Sequence, residues 1–419
     1  MSGAVAAHAA HNGSGTQGLA VTNKVTGEDG DVQSVFWNAN NTTRHLVYGS
    51  AFVEIPANSG SGTNTAGTAI TQVFDVNNDI DCLGDIVLKV ELTGNASGTV
   101  GSLELASLID RVEFQVGTQI WQTLEKTDLI ALASTELSSG SFSDFALQTS
   151  GGVTNNGAYS VVGADATSGT YNSGGTNVAF IPLKTFTKTL GPNLENFAEH
   201  TETGYLMAAA PHQQVKIKVI TSPVAATDNI QTAANVALSL FAKSQVMCNE
   251  EREALKGMPQ GVPKRIKMTQ HATKSYPSSG GSLELDLDHF SLYTSHILIT
   301  IPTLTTGGKE QVDPDAELLL NSSSFSGKLP LGLLRMTGSS IGLYTNSYNP
   351  GLVDNASTAT YVFPLASRVY SGSSVPLNRF DNIRLKLTGL GTASGNVDVT
   401  CVGETTALYK NGAASLAMY

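Results

Sequence analysis

Apolar and polar residues alternate with a period of two along many short stretches of this chain, and that period belongs to β-strands with one face buried and one face wet. Ile86, Leu88, Val90 and Leu92 set the pattern, followed by Val112, Phe114 and Val116, then by Val215, Ile217 and Val219 spaced by Lys216 and Lys218. It returns at Leu283, Leu285 and Leu287, at Ile383, Leu385 and Leu387 around Arg384 and Lys386, and at Val397, Val399 and Cys401. No long window sustains the 3.5 to 3.6 spacing of amphipathic helices. Composition points the same way: of 419 residues only 14% are charged, 42 are glycine, and Ser, Thr and Asn crowd the segments between apolar runs. Such a make-up suits strands joined by loops, so the chain is predicted to be all-β, with length enough for two or three domains.

Residues 1–30 are small, polar and glycine-rich, which predicts an N-terminal arm unable to bury a core of its own. Two β halves are expected beyond it, at 31–248 and 266–419, with a linker at 249–265. Within that linker Asn249 can cap a short interdomain helix, which Gly257 and Pro259 would stop. The halves share an order of features. A strand with an internal proline (Phe180-Ile-Pro182-Leu183; Val362-Phe-Pro364-Leu365) precedes a strand alternating apolar and basic residues (Val215-Lys-Ile-Lys-Val219; Ile383-Arg-Leu-Lys-Leu387), which predicts duplication of one β unit. Residues 138–177 and 303–360 are loop-like and are expected to cluster at an end of the sheets.

A formal net charge of -11 sets the chain against phosphate backbones, so direct nucleic-acid binding is not expected. Cys82, Cys248 and Cys401 form no C-x-x-C pair and are read as free thiols. The first residues lack the basic start and apolar core of a secretory signal, and no run approaches 18 apolar residues; a soluble product of the cytosol is expected.

The search for chemistry ends without a catalytic constellation. Gly338-Ser-Ser340-Ile-Gly342 has the spacing of a nucleophile elbow, yet the triad order of that fold needs a later histidine and the last is His296. Asp75, Asn77 and Asp79 begin like a calcium loop, but Ile80 and Ile86 stand where glycine and glutamate are required. Asp286 and Asp288, two apart on a predicted strand, could serve as paired carboxyls; their alternation with leucines is the ordinary pattern of a solvated face. His200, His212, His271, His289 and His296 have no metal-site spacing. Gly389, Gly391 and Gly395 miss the dinucleotide fingerprint by one residue and read as a hairpin turn, and the N-x-S/T sequons reflect Ser/Thr-rich composition. No enzyme activity, cofactor or metal is expected.

Three segments carry a resemblance. Val375-Pro-Leu-Asn378-Arg379-Phe380-Asp381-Asn382-Ile383-Arg384-Leu385 is similar to an Asn-Phe-Ser-Arg-Ile-Asp-Asn-Ala-Arg-Leu signature that follows a Tyr-x-x-Pro-x-Ala strand, here Tyr361-Val-Phe-Pro364-Leu-Ala366. The end, Leu408-Tyr-Lys-Asn-Gly412-Ala-Ala-Ser-Leu-Ala417, resembles a closing Leu-Arg-x-x-x-Gly-Met-Gly-Gly-Leu-Ala run, with alanine and serine in place of two glycines. In this order the segments resemble the double jelly-roll major capsid proteins of large eukaryotic DNA viruses and their smaller relatives. Weaker echoes lie at Arg44-His45, at Asp81 to Gly84, at Leu108 to Phe114 and at Glu250-Glu251-Arg252.

That resemblance implies two consecutive eight-stranded antiparallel jelly rolls in one chain. It further implies a homotrimer of pseudo-hexagonal outline that tiles an icosahedral shell in the virion, with neighbouring capsomers, penton and minor capsid proteins and an internal membrane as partners. The long loops would face outward as towers. The polar cluster of Asn378, Arg379, Asp381 and Asn382 would either form a turn network that sets the entry of the next strand or meet a neighbouring chain. A jelly-roll surface protein that binds glycans or a receptor is the alternative reading.

Overall fold

The computed structural model describes residues 47–61, 64–76, 82–93, 106, 108–136, 176–183, 206–207, 213–223, 232–247, 262–276, 281–302, 305–306, 309–310, 314–341, 343, 358–366, 374–390, 395–410 and 413–417. The expected arm at 1–30, the linker helix, Gly412 and nearly all of the loop at 138–177 lie outside the described residues.

The first half contains β1 (Val47–Ile55), β2 (Ala57–Ser61), β3 (Thr71–Asp75), β4 (Cys82–Thr93), β5 (Ile109–Val116) and β6 (Gln119–Glu125). Helix α1 (Lys126–Glu136) follows, then β7 (Thr176–Leu183), β8 (Leu206–Met207), β9 (Val215–Thr221) and β10 (Asn235–Met247). The second half begins with β11 (Val262–Tyr276), β12 (Gly281–Asp286), β13 (Tyr293–Pro302), the small hairpin of β14 (Thr305–Thr306) and β15 (Lys309–Glu310), and β16 (Asp315–Leu320). Next come β17 (Ser323–Ser324), β18 (Leu329–Pro330), helix α2 (Leu331–Ser340), β19 (Thr358–Pro364), β20 (Val375–Pro376), β21 (Ile383–Leu390), β22 (Gly395–Lys410) and β23 (Ala413–Ala417).

Each half folds its strands into two antiparallel sheets, ordered β1-β10-β4-β7 and β2-β3-β9-β5-β6 in the first, β11-β22-β13-β19 and β12-β21-β16-β17 in the second. If the short additions β2, β8, β14, β15, β20 and β23 are set aside and β17 with β18 counts as one interrupted strand, each half has eight principal strands in the order 1-8-3-6 and 2-7-4-5. That interleaving of chain ends and middle is a jelly roll. The chain is therefore two jelly rolls in succession, as expected. The paired sequence features fall on equivalent strands: the proline-containing stretches on the sixth (β7 and β19), the basic-alternating ones on the seventh (β9 and β21). A helix follows the fifth strand in both rolls.

The alternation does the folding work. Val215, Ile217 and Val219 point inward on β9, and Lys218 on the opposite face reaches Glu113 of β5 at 3.1 Å. Ile383, Leu385 and Leu387 repeat this on β21, where Arg384 meets Glu284 at 2.8 Å. Each fully buried branched side chain of this kind contributes roughly 1.5–3 kcal/mol, whereas the exposed Arg384–Glu284 pair contributes far less.

Two expectations need correction. Residues 303–360 are not simply loop: Asp315–Leu320 is β16, a strand hydrogen-bonded to β21 with Ala316, Leu318 and Leu320 inward, and 331–340 is helical. The apolar Leu319 on the outer face had turned the alternation into a run of leucines. Asp288 is not on a strand either, because β12 ends at Asp286.

Gly403 of β22 shows how tightly the second roll is closed. A β-carbon there would stand 2.6 Å from the Tyr293 carbonyl oxygen and 2.9 Å from Leu292 Cβ, where β13 is irregular beside Thr294. Backbone cannot retreat as a flexible side chain can. Gly403→Ala is expected to destabilise the chain by about 1–3 kcal/mol, read as a lowered midpoint in urea unfolding.

Candidate functional site at the seam between the rolls

Strand β11 alternates, but along Ile266–Thr269 neither of its faces is wet. Ile266 and Met268 enter the core of the second roll; Lys267 and Thr269, on the opposite face, are 1% and 5% exposed. The same holds across the sheet, where Thr400 and Val402 of β22 and His296, Leu298 and Thr300 of β13 are buried on the side away from their own core. What covers that side is the first roll. Gln122 of β6 donates to Thr269 Oγ1 at 2.6 Å, and α1 brings Asp128 and Glu136 against β11 and β22.

Asp128 is the hub. As the third residue of α1, fully buried, it accepts the Glu125 backbone N–H through Oδ2 at 3.0 Å, the reach-back that closes a helix N-terminus. Its Oδ1 accepts from Thr400 Oγ1 and from His271 Nδ1, the latter at 2.9 Å. His271 Nε2 lies 3.5 Å from Asp398. Burial alone would disfavour the imidazolium, but hydrogen bonds to Asp128 and Asp398, with their charges, prevail and push the His271 pKa up to about 10. One helix cap thus doubles as the anchor of the second roll.

A second ion pair closes the far end of the helix. Lys267 Nζ donates to Glu136, the last residue of α1, both nearly inaccessible. A cation there also suits the negative end of the helix dipole. His296, wholly buried, hydrogen-bonds the Ser295 hydroxyl at 2.9 Å. Burial, aided by Lys267 and opposed by Glu136, lowers its pKa to about 3, so this ring is neutral.

The signature residues gather elsewhere on the second roll. Tyr361 is a core side chain of β19, 1% exposed, and Pro364 ends that strand opposite His296. Asn378 and Arg379 lie in the 3-10 turn Leu377–Arg379 and are exposed, as is Asp381. The Phe380 N–H closes the turn on the Leu377 carbonyl at 3.0 Å, and the residues after it are ordered by partners from outside. Asn321 Oδ1 accepts the Asp381 and Asn382 backbone N–H groups at 2.9 and 3.3 Å, and Asn321 N–H donates to the Asn382 carbonyl at 2.8 Å. Asp288 Oδ1 accepts the Ile383 N–H at 2.6 Å. Asn321 tolerates its left-handed φ of 49° because asparagine is among the few residues that do.

Asp286 and Asp288 therefore have separate structural tasks: Asp286 stands 3.3 Å from the Arg384 guanidinium and Asp288 caps the entry of β21. Ser340 is the last residue of α2, not the apex of a strand-to-helix turn. Asp75 is buried with Asn58 donating to it, while Asn77 and Asp79 lie outside the described residues. Thr400, His271 and Asp128 have the residue types of a hydrolytic triad in the wrong order. Both ring nitrogens face carboxylates and the hydroxyl sits on the aspartate, so no basic lone pair reaches a nucleophile. Among the described residues, no group of three or more His, Cys, Asp or Glu is placed to hold a metal ion. The arrangement joins and registers two surfaces.

Solved structures share this architecture. The crystal structure of PBCV-1 VP54, fitted into a reconstruction of the virophage Sputnik, matches at a TM-score of 0.66 and 13% identity, covering 88% of this chain and 97% of its own. The PBCV-1 virus capsid matches at 0.65 and 13%, with the same coverage. The Faustovirus major capsid protein follows at 0.54 and 8% identity, covering 86% of this chain and 90% of its own. At such identities the likeness is one of fold: a double jelly roll. No family model matches the chain, and no curated protein matches it in sequence.

Proposed function

We propose that this chain is the major capsid protein of an icosahedral DNA virus, residing in the virion, and that its product is a shape rather than a reaction. The observation that carries the reading is the seam. The helix after the fifth strand of one roll covers the outer sheet of the next, a head-to-tail contact that further copies can repeat. A heterologous contact either closes into a ring or runs on as a filament. Three chains supply six similar rolls, and six such units around an axis give a near-hexagonal prism able to pack laterally on a facet. The solved neighbours named as virus capsid and major capsid protein support this assignment.

Within it the roles follow chemistry. The first roll (31–248) and the second (266–419) act as equivalent blocks across the linker at 249–265, and the loops at 138–177 and within 303–360 face outward. The turn of Asn378, Arg379, Asp381 and Asn382 sets the entry of β21, while Tyr361 and Pro364 fix the preceding strand. Neighbouring capsomers, penton and minor capsid proteins and an internal membrane are the proposed partners, with the arm at 1–30 tying neighbours together. The anionic body makes no direct contact with the genome.

Light scattering on the purified chain is expected to give three times the chain mass, and electron microscopy to show particles of hexagonal outline. A stable monomer that retains glycans on an array would replace this reading with that of a glycan-binding surface protein.

A further inference from the structure

We infer that rings of this chain join side by side through opposite charge, the outer face of the β3-β9-β5 strands of one copy meeting the outer face of the β12-β21-β16 strands of another. The inference rests on the ring-forming reading above and adds the surfaces by which one ring meets the next.

Strand pairing places the two faces in register with each other. Lys216 and Lys218 of β9 correspond to Arg384 and Lys386 of β21, because Asp75 and Glu113 stand opposite the first pair as Asp286 and Glu317 stand opposite the second. At two further positions the rolls differ. Val73, opposite Lys218, corresponds to Glu284, opposite Lys386. Arg111, opposite Ile220, corresponds to Asp315, opposite Thr388. An acid thus replaces a neutral residue at one point and a cation at the other, which leaves the first face the more positive and the second the more negative.

Exposure widens the difference. In the first roll the side chains of Asp75 and Glu113 are 11% and 8% exposed, with Lys216 Nζ 3.9 Å from the one and Lys218 Nζ 3.1 Å from the other. Arg111, beside them, is 43% exposed. In the second roll the acids themselves stand out, Asp286 at 67% and Glu284 at 43%. Glu125, across from Arg111 on β6, belongs to the seam, where burial raises its pKa toward the neutral form. Among the described residues, then, the first face presents cations over covered acids and the second presents acids to solvent.

The geometry of a ring calls for such a difference. A head-to-tail ring occupies the side of each roll where the seam lies and the edge that carries the helix; the outer side of the other sheet is left to face away. Three chains show their rolls around the rim in the order first, second, first, second, first, second. Opposite sides of a hexagon are three steps apart and are therefore unlike rolls. On a facet whose rings share one orientation, every lateral contact brings a first roll against a second. Faces of opposite sign attract there, whereas a ring turned by one roll would bring like against like and be repelled.

The test uses the full chain as purified trimers, with lateral association read by sedimentation velocity and electron microscopy. Association is expected at roughly 0.05 M salt and should weaken about tenfold or more by 0.5 M, where charge acts over only a few Å. Glu284→Lys with Asp286→Lys is expected to abolish association at low salt while light scattering still gives the trimer. Those changes also reduce the chain's net charge of -11, so general repulsion between chains would give the opposite result. Lys216→Gln with Lys218→Gln is expected to weaken association from the other side. Asp286→Lys alone is read in the same way if a double change disturbs folding. Variants that associate as the parent does, or parent trimers whose association is absent or indifferent to salt, would overturn the paired faces and leave the ring reading intact. A monomeric parent chain would overturn the ring reading and this inference with it.

Discussion

Asp128→Ala is expected to lower the stability of the chain by about 3–5 kcal/mol, among the largest effects of any single change, because it removes the acceptor that two rolls share. Thr400 Oγ1, His271 Nδ1 and the Glu125 N–H all donate to this one carboxylate, and the buried Thr400 hydroxyl has no water at hand to replace it. The loss is a matter of stranded partners as much as of lost attraction. Asp128→Asn keeps acceptor capacity and forfeits the charge, so a smaller loss is expected. The form of unfolding should change too. With the seam intact, urea unfolding followed by fluorescence and by circular dichroism should coincide; in Asp128→Ala the rolls lose a principal tie and the two curves should separate. A drop below about 1 kcal/mol would mean that the carboxylate is not the hub of the seam.

The rolls were legible in the sequence, whereas the seam was not, for a reason visible in single residues. A period of two reports that a strand has two unlike faces, and it is silent on whether the polar face meets water. Lys267, Thr269 and His271 alternate with Ile266, Met268 and Gln270 as the wet side of any half-buried strand does, yet Lys267 is 1% exposed. Only the arrival of α1 decides that, and Asp128 and Thr400 are 272 positions apart. The helix itself gave little signal: Lys126 to Glu136 carries buried Ser134 and Thr135, which bond the Ala131 carbonyl in place of water. Because seven of its eleven residues are buried, it lacks the polar stripe by which an amphipathic helix is recognised. The turn before β21 was recognised by resemblance, but Asn321, its main acceptor, sits 60 positions away and has no pattern of its own.

Stability is expected to fall on both sides of a maximum near pH 6 to 7, because two seam histidines titrate in opposite directions. His271 is held protonated to about 10 by Asp128 and Asp398, against an unfolded value near 6.5. A raised pKa gives stability that is complete below 6.5 and is lost as pH climbs through 10. With a ring that is 18% exposed, and after allowance for solvent screening, roughly 2–4 kcal/mol should go across that window. His296 does the reverse. Its pKa of about 3 means that the unfolded chain takes up a proton the folded chain refuses, so stability present above 6.5 is lost as pH falls toward 3. The groups facing these rings fix the assignment: Asp128, Asp398 and Glu125 around His271, Glu136 and Lys267 around His296. Cys401, pushed up to about 12 by burial, stays neutral throughout. Thermal unfolding from pH 4 to 10 should trace the dome, His271→Gln should flatten its alkaline limb, and a parent profile level from pH 7 to 10 would show that the imidazolium does not hold the rolls together.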